Sequence, residues 1–360
     1  MDPITLRQLG SHTSGLGRDW PTYNLDEWPD IPPNPPQREW PTLDEQLRAI
    51  AETPLVAPPG SFPVYSNTGF SVLGGALAFA NSKAEGRPLA YSELLKRDLF
   101  GPLGMNGSSF IASAENAVHL AIPRNPVEVV SSLPAIDCKA LNPTLMQDFN
   151  PDESFHPVGG QFSSLSDLAN ATRFLLNPPR SSKGSLIRLS ALRDWIRPSS
   201  PQPDTATESG LVWEILKLAD SHGRIQRFYG KAGSLATFHS ELIFNKKLQF
   251  GLVMLSTGYM STGPLVREVL PLLLPGFESI LEERTRERYA GVWKGDVNAD
   301  DEIVVVVEGG MLSITNWRVN GHDFLRFYLG GLLDRVSLWS TGKLDEFRQA
   351  YSLFSLDRIH

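Results

Sequence analysis

Cysteine is nearly absent from this chain. Cys138 is the only one in 360 residues, so no intrachain disulfide can form and no thiolate zinc site can be assembled. Lying in the mostly apolar stretch Leu133–Leu141, it reads as a small core residue. The seven histidines show no H-x-x-x-H or H-E-x-x-H spacing, and neither a metal nor another cofactor is expected. No run approaches the roughly 20 apolar residues that span a bilayer. The most apolar region, Leu265–Phe277, is interrupted by Arg267, Glu268, Pro271 and Pro275 and reads as a core-facing helix. There is no dense Lys/Arg run, and the formal charge is -7, which argues against nucleic acid as a partner. No signal peptide is seen, because Met1-Asp2-Pro3 leads straight into Ile4-Thr5-Leu6. Two sequons, at Asn106 and Asn170, are compatible with secretion without establishing it.

What is present is an ordinary globular composition, 41% hydrophobic and 20% charged, long enough for one large core or a large domain plus a small one. Ile4–Leu9 is a short apolar-alternating segment that runs into the polar turn Ser11-His12-Thr13-Ser14-Gly15. Trp20–Pro41, with Trp20, Trp28, Trp40 and paired prolines, can be neither a helix nor an interior strand and reads as a long ordered loop.

Leu43–Glu52 reads as a helix with Thr42 as N-cap and Glu45 completing a capping box. Thr68–Asn81 carries an approximate helical stripe of Phe70, Leu73, Leu77 and Phe79, with small residues between them that favour deep burial. Tyr91–Phe100 is a helix ended by Gly101-Pro102, and Ser164 with Asp167 forms a second capping box. Beyond Pro201 the pattern turns to strands, at Leu211–Leu216, Phe238–Phe244 and Phe250–Leu255, and Leu265–Arg286 supplies a further helix. From Tyr289 onward short β-rich segments follow, at Ile303–Val307, Met311–Thr315, Phe324–Tyr328, Val336–Trp339 and Tyr351–Leu356. The expected division is therefore a large domain over 1–285 and a small, barrel-like β-domain over 286–360.

Two short constellations can carry chemistry. Tyr65-Ser66-Asn67 sits between a Pro-Gly loop and a helix. A tyrosine there acts as a general base if nearby ammonium groups stabilise its phenolate. Lys231-Ala232-Gly233-Ser234 precedes a strand that has Gly251–Leu255 as antiparallel neighbour. A lysine there can point into a cleft, the glycine admits a substrate backbone, and the Ser234 N–H can form half of an oxyanion hole. Alone, neither pattern is specific.

The surrounding blocks make the case. Ile4-Thr5-Leu6-Arg7-Gln8-Leu9-Gly10-Ser11-His12-Thr13-Ser14-Gly15-Leu16 resembles a signature block of the serine β-lactamase-like family, which spans class C β-lactamases, D-Ala-D-Ala carboxypeptidases and related esterases and transesterases. Pro59-Gly60 through Tyr65-Ser66-Asn67 to Leu73-Gly74, Pro102-Leu103-Gly104-Met105 through Ser109-Phe110, Pro157-Val158-Gly159-Gly160 through Asp167-Leu168-Ala169, and Gly210-Leu211-Val212-Trp213-Glu214 are similar to further blocks of the same family in the same order. The tail from Tyr289 to Trp293 looks like the small β-domain of some fungal members.

This resemblance implies an α/β (α+β) fold, an antiparallel sheet with helices followed by a small C-terminal β-domain. It implies Tyr65 as general base or acid and Lys231 as the cation that keeps Tyr65 anionic and meets an anionic substrate group. Asn67 would orient a partner lysine and a substrate amide or carbonyl, and Gly233 with the Ser234 N–H would frame the oxyanion hole. The substrate implied is a small ester or amide, handled through an acyl-enzyme.

Two departures qualify the expectation. Ala232 stands where a hydroxyl-bearing threonine is usual, which disfavours a β-lactam or a stem peptide with its carboxylate. The nucleophile motif Ser-x-x-Lys occurs only at Ser340–Lys343, inside the small β-domain, where Gly342 suggests a turn. In the family it belongs upstream of Ile4, so the chain reads as N-terminally incomplete and inactive by itself. An acyltransferase or transesterase of secondary metabolism and a non-catalytic ligand- or partner-binding protein are the alternatives. His239, five residues after Ser234, reads as packing.

Overall fold

The computed structural model describes residues 3–19, 41–111, 116, 118–121, 153–178, 186–235, 238–257, 261–328, 334–341 and 345–350. Cys138, nearly all of the Trp20–Pro41 loop, the segment Tyr351–Leu356 and the Gly342-Lys343 half of the Ser340–Lys343 motif lie outside them. Two compact units emerge, one of residues up to Leu218 with Gln226–Val269, the other of Ala219–Ile225 with everything from Leu270 on.

The first unit is mixed α/β. Its strands β1 (Pro198–Pro201), β2 (Thr207–Gly210), β3 (Glu214–Ala219), β4 (Ile225–Leu235), β5 (Phe238–Asn245) and β6 (Phe250–Thr257) form an antiparallel sheet in sequence order. Lys231–Ser234 lies inside β4 rather than ahead of a strand, paired with β5, and Gly251–Leu255 is the neighbour of β5 on its far side. Asn245 closes the β5–β6 turn by accepting the Leu248 N–H at 2.8 Å. Helix Leu165–Leu176 packs on the sheet, so close that a Cβ on Gly251 would meet Thr172 Cγ2. The core there joins Leu175, Leu176, Leu192, Trp213, Ile215 and Phe244.

The helix starts follow the capping chemistry. Thr42 and Glu45 form the full reciprocal box on Leu43–Glu52. Ser164 accepts from the Asp167 N–H at 3.1 Å, while the buried Asp167 carboxylate takes the Ser108 hydroxyl at 2.7 Å. Ile4–Leu9 overlaps the short helix Leu6–Gly10, capped reciprocally by Thr5 and Gln8.

Other boundaries moved. The helix starting at Tyr91 does not stop at Gly101-Pro102 but widens into a π-turn over Lys96–Phe100 and runs on through Gly101–Leu103 to the left-handed Gly104. The π-turn is closed by the Gly101 N–H, which donates to Lys96 O five residues back. In helix Asn67–Glu85 the buried positions are Thr68, Gly69, Ser71 and Gly74, whereas Leu77 and Phe79 are exposed. The smallest residues mark its packed face: a Cβ on Gly74 would lie 2.0 Å from Pro157 Cγ.

The second unit carries β7 (Gly291–Lys294), β8 (Glu302–Glu308), β9 (Met311–Val319), β10 (His322–Asp323), β11 (Val336–Ser340) and β12 (Phe347–Ala350), neighbours in the order β12-β11-β9-β8-β7 with β10 on β9. Val305, Leu312, Ile314, Leu325 and Val336 form its core. Phe324–Tyr328, read as a strand from its aromatics, is instead a helical turn. Asp323 Oδ1 accepts the Arg326 N–H at 2.9 Å, and this cap outweighs β propensity in so short a segment. Helix Thr262–Tyr289 runs through Pro271 and Pro275. Placed four residues apart, these withhold the i→i−4 donors from the carbonyls of Arg267 and Pro271.

Candidate active site

The segment His12–Arg18 is the base on which Tyr65 stands. Val56 N–H donates to Gly15 O, Gly60 N–H to Thr13 O and Val64 N–H to His12 O at 2.7 Å, tying the two stretches together backbone to backbone. Gly15 has φ +78 and a Cβ there would collide with the Ala57 carbonyl, so the left-handed glycine is required by the close approach. The helix beginning at Asn67 finds its cap partners in this base. Asn67 N–H donates to Arg18 O at 2.7 Å, and Ser66 Oγ accepts from Gly69 N–H at 2.9 Å while donating to Gly17 O.

Tyr65 precedes that helix with 40% of its surface exposed. His12 stacks on one face of its ring, with centroids 4.5 Å apart, and Nδ1 of His12 accepts the Ser66 N–H at 3.0 Å. An accepting Nδ1 places the proton on Nε2 and keeps the ring neutral. Burial first, and the Lys231 charge second, lower the His12 pKa to about 4. Two cations flank the tyrosine: Arg18 Cζ lies 5.5 Å and Lys231 Nζ 5.4 Å from the ring centroid.

Lys231 Nζ stands 3.5 Å from Tyr65 Oη, 2.8 Å from Glu214 Oε1 and 2.7 Å from Ala232 O. Its pKa is raised above that of an ordinary lysine: burial pulls it down, and the charges of Glu214 and Tyr65 outweigh that pull. The ammonium therefore stays charged across the physiological range. Glu241, paired in register with Ala232, is pushed up to about 7 by burial and then by Glu214, against the opposing pull of Lys231 and Arg267.

The residues singled out from the sequence fall as follows. Tyr65 and Lys231 come together from opposite ends of the first unit. Asn67 carries its amide to Asp19, donating to Oδ1 at 2.6 Å. Gly233 faces Ser240, whose Oγ would lie 2.5 Å from an added Cβ. Ser234 is exposed, and its Oγ lies 2.8 Å from His239 Nδ1 across the β4–β5 pair, so His239 has a polar neighbour as well as a packing place. In the sequence His12 and Glu214 are members of family-like blocks with no role of their own, and Arg18 and Glu241 carry no mark. Both Glu214 and Glu241 sit on strands, where only the sheet brings them to Lys231. An open groove of about 530 Å³ in the second unit, lined by residues including His322, Asp323, Phe324 and Phe327, holds none of the marked residues.

A sequence model of the family described as Beta-lactamase matches residues 1–269. The chain belongs to the beta-lactamase family. It is 32% identical over 272 residues to the Beta-lactamase-like protein str6 of Strobilurus tenacellus, a match covering 72% of this chain and 83% of that protein. With the D-alanyl-D-alanine-carboxypeptidase/endopeptidase AmpH of Escherichia coli it shares 33% identity over 120 residues, 33% of this chain and 28% of AmpH. Among solved structures, a Beta-lactamase/D-alanine Carboxypeptidase from Yersinia pestis superposes with a TM-score of 0.53 at 22% identity, over 76% of this chain and 70% of that one. A class C beta-lactamase gives 0.52 at 18%, over 78% and 70%. These likenesses establish the beta-lactamase fold, and the family is that of serine hydrolases. Among the described residues no helix is long and apolar enough to cross a membrane.

Proposed function

We propose that these residues form the Tyr- and Lys-bearing part of a serine hydrolase site acting on an ester or amide carbonyl through an acyl-enzyme. The observation that carries this reading is the approach of Lys231 Nζ to within 3.5 Å of Tyr65 Oη, between residues 166 positions apart in sequence. Beside two cations and a neutral imidazole, the phenolate of Tyr65 can accept a proton from an attacking serine and return it to the leaving group. In deacylation the same oxygen draws the proton from water. The backbone at Gly233, whose side-chain place is taken by Ser240 Oγ, is proposed to lie beside the scissile group, and the Ser234 N–H is the proposed oxyanion donor. Asn67 is proposed to bind the substrate amide or carbonyl, which requires it to turn from Asp19.

The nucleophile is proposed to be a Ser-x-x-Lys serine supplied outside these 360 residues, since Ser340–Lys343 starts at the end of a strand. The 360-residue chain is accordingly expected to form no acyl-enzyme alone. The test is N-terminal peptide mapping of the natural protein, followed by fluorophosphonate labelling and turnover of a p-nitrophenyl ester. A labelled Ser-x-x-Lys serine with ester turnover supports the reading. A natural protein that neither labels nor turns over ester contradicts it and makes binding the function. New ester formed from an added alcohol assigns acyl transfer in place of hydrolysis.

A further inference from the structure

Asn67 is already committed within the chain. Its side-chain nitrogen donates to Asp19 Oδ1 at 2.6 Å, and its backbone N–H donates to Arg18 O at 2.7 Å. The Thr68 N–H reaches the same carbonyl at 3.2 Å, so Arg18 and Asp19 are seated together on the first turn of the helix. Arg18 Nε lies 3.3 Å from Asp19 Oδ2, which holds the other carboxylate oxygen and fixes the direction in which the group points. A carboxylate accepts hydrogen bonds and donates none, so the nitrogen of the Asn67 amide has to face it.

A hydrogen bond to a charged acceptor is roughly twice as strong as one to a neutral acceptor. A ketone or amide oxygen of a substrate therefore competes for the Asn67 donor at a disadvantage, and success would strip the half-buried Asp19 of a partner. Asp19 belongs to none of the family-like blocks, since the first ends at Leu16 and the next begins at Pro59. The contact is thus a device of this chain outside those blocks.

We propose, on the hydrolase reading above, that Asp19 is a specificity-determining residue: it takes the Asn67 amide donor in place of a substrate carbonyl. The site then gives no advantage to acyl groups that carry a second carbonyl, and it favours plain alkanoyl esters or amides. Asp19 acts through Asn67 and touches no reacting atom.

The test uses p-nitrophenyl 4-oxopentanoate and p-nitrophenyl 4-methylpentanoate, in which a keto oxygen replaces a methyl group. Wild-type enzyme should show no preference for the keto ester in kcat/KM. Asp19→Ala should move the ratio about tenfold toward the keto ester, through its KM, the scale of one hydrogen bond regained. Asp19→Asn keeps a neutral acceptor and should move it less. Adding Asn67→Ala to Asp19→Ala should return the ratio to its wild-type value. Both esters share one chemical step, so any effect of the released Arg18 on Tyr65 cancels in the ratio. A wild-type preference for the keto ester, or an unaltered ratio in a folded Asp19→Ala and Asp19→Asn, overturns the proposal.

If neither ester turns over, the hydrolase reading fails, and the contact is decided on the chain itself by NMR of the Asn67 side-chain amide protons. Methyl 4-oxopentanoate should shift them in Asp19→Ala and leave them in place in wild type. The same response in both proteins, or none in either, overturns the proposal independently of catalysis.

Discussion

His12 lies flat against Tyr65, ring centroids 4.5 Å apart, and is held there by the Ser66 N–H on Nδ1. It is only 8% exposed, and burial together with Lys231 lowers its pKa to about 4 from an ordinary 6.5. The unfolded chain therefore binds a proton at a pH where the native chain does not, and stability falls as pH drops from 6.5 toward 4. The loss is at most about 3 kcal/mol for this group. His12→Asn keeps a side chain that tolerates φ +60 and cannot titrate. Urea midpoints should fall less steeply for the variant than for wild type over that range; parallel curves would refute the assignment.

Glu241 works in the opposite sense. Its carboxyl is raised to about 7, by burial first and by Glu214 second, so between pH 4.5 and 7 the native chain holds a proton that the unfolded chain has released. Stability from this group declines as pH rises through that window. Glu241→Gln should gain on wild type in thermal midpoint at pH 8 relative to pH 4, and an equal difference at both would count against it.

Gly74→Ala sets two effects against each other. Alanine in a helix interior gains up to about 1 kcal/mol over glycine. The new methyl would sit 2.0 Å from the Pro157 ring, and overpacking of this kind costs about 1–3 kcal/mol. A net loss is expected in chemical denaturation. At Gly75 the nearest atom is a terminal methyl of Leu43, which can move aside, so Gly75→Ala should lose less.

Ser66 is fully buried, with its hydroxyl accepting from Gly69 N–H and donating to Gly17 O. Ser66→Ala leaves both groups unpaired at the helix start and should cost about 1–3 kcal/mol. Because that helix start carries Tyr65, activity should fall along with stability.

Much of this architecture was legible beforehand. The Thr42–Glu45 box is a local signal, written within four residues, and it forms in full; of the Ser164–Asp167 box only the Ser164 half forms, because the Asp167 carboxylate takes the Ser108 hydroxyl instead. The differences are of three kinds. At Gly101-Pro102 and Phe324–Tyr328 a local rule met a stronger local competitor, a π-turn in one case and an aspartate cap in the other. Glu214 and Glu241 were missed for another reason. Their charges reach Lys231 only through strand pairing: the block that ends at Glu214 marks the family without pointing to Lys231, and nothing around Glu241 marks it. The stripe of Leu77 and Phe79 misled because a packed helix face can be made of glycine and serine as well as of large side chains.

The central claim is that Lys231 and Tyr65 together move the proton in a serine hydrolase site. The most direct measurement is ester kcat in natural-length protein carrying Tyr65→Phe or Lys231→Met, with folding checked by thermal melt. The Lys231–Glu214 pair is partly exposed and worth about 0–1 kcal/mol, so both variants should stay folded. The account predicts a fall in kcat of about 10²–10⁴ for Tyr65→Phe, as loss of a general base gives, and a smaller fall for Lys231→Met. Folded variants that hydrolyse the ester at the wild-type rate would contradict it.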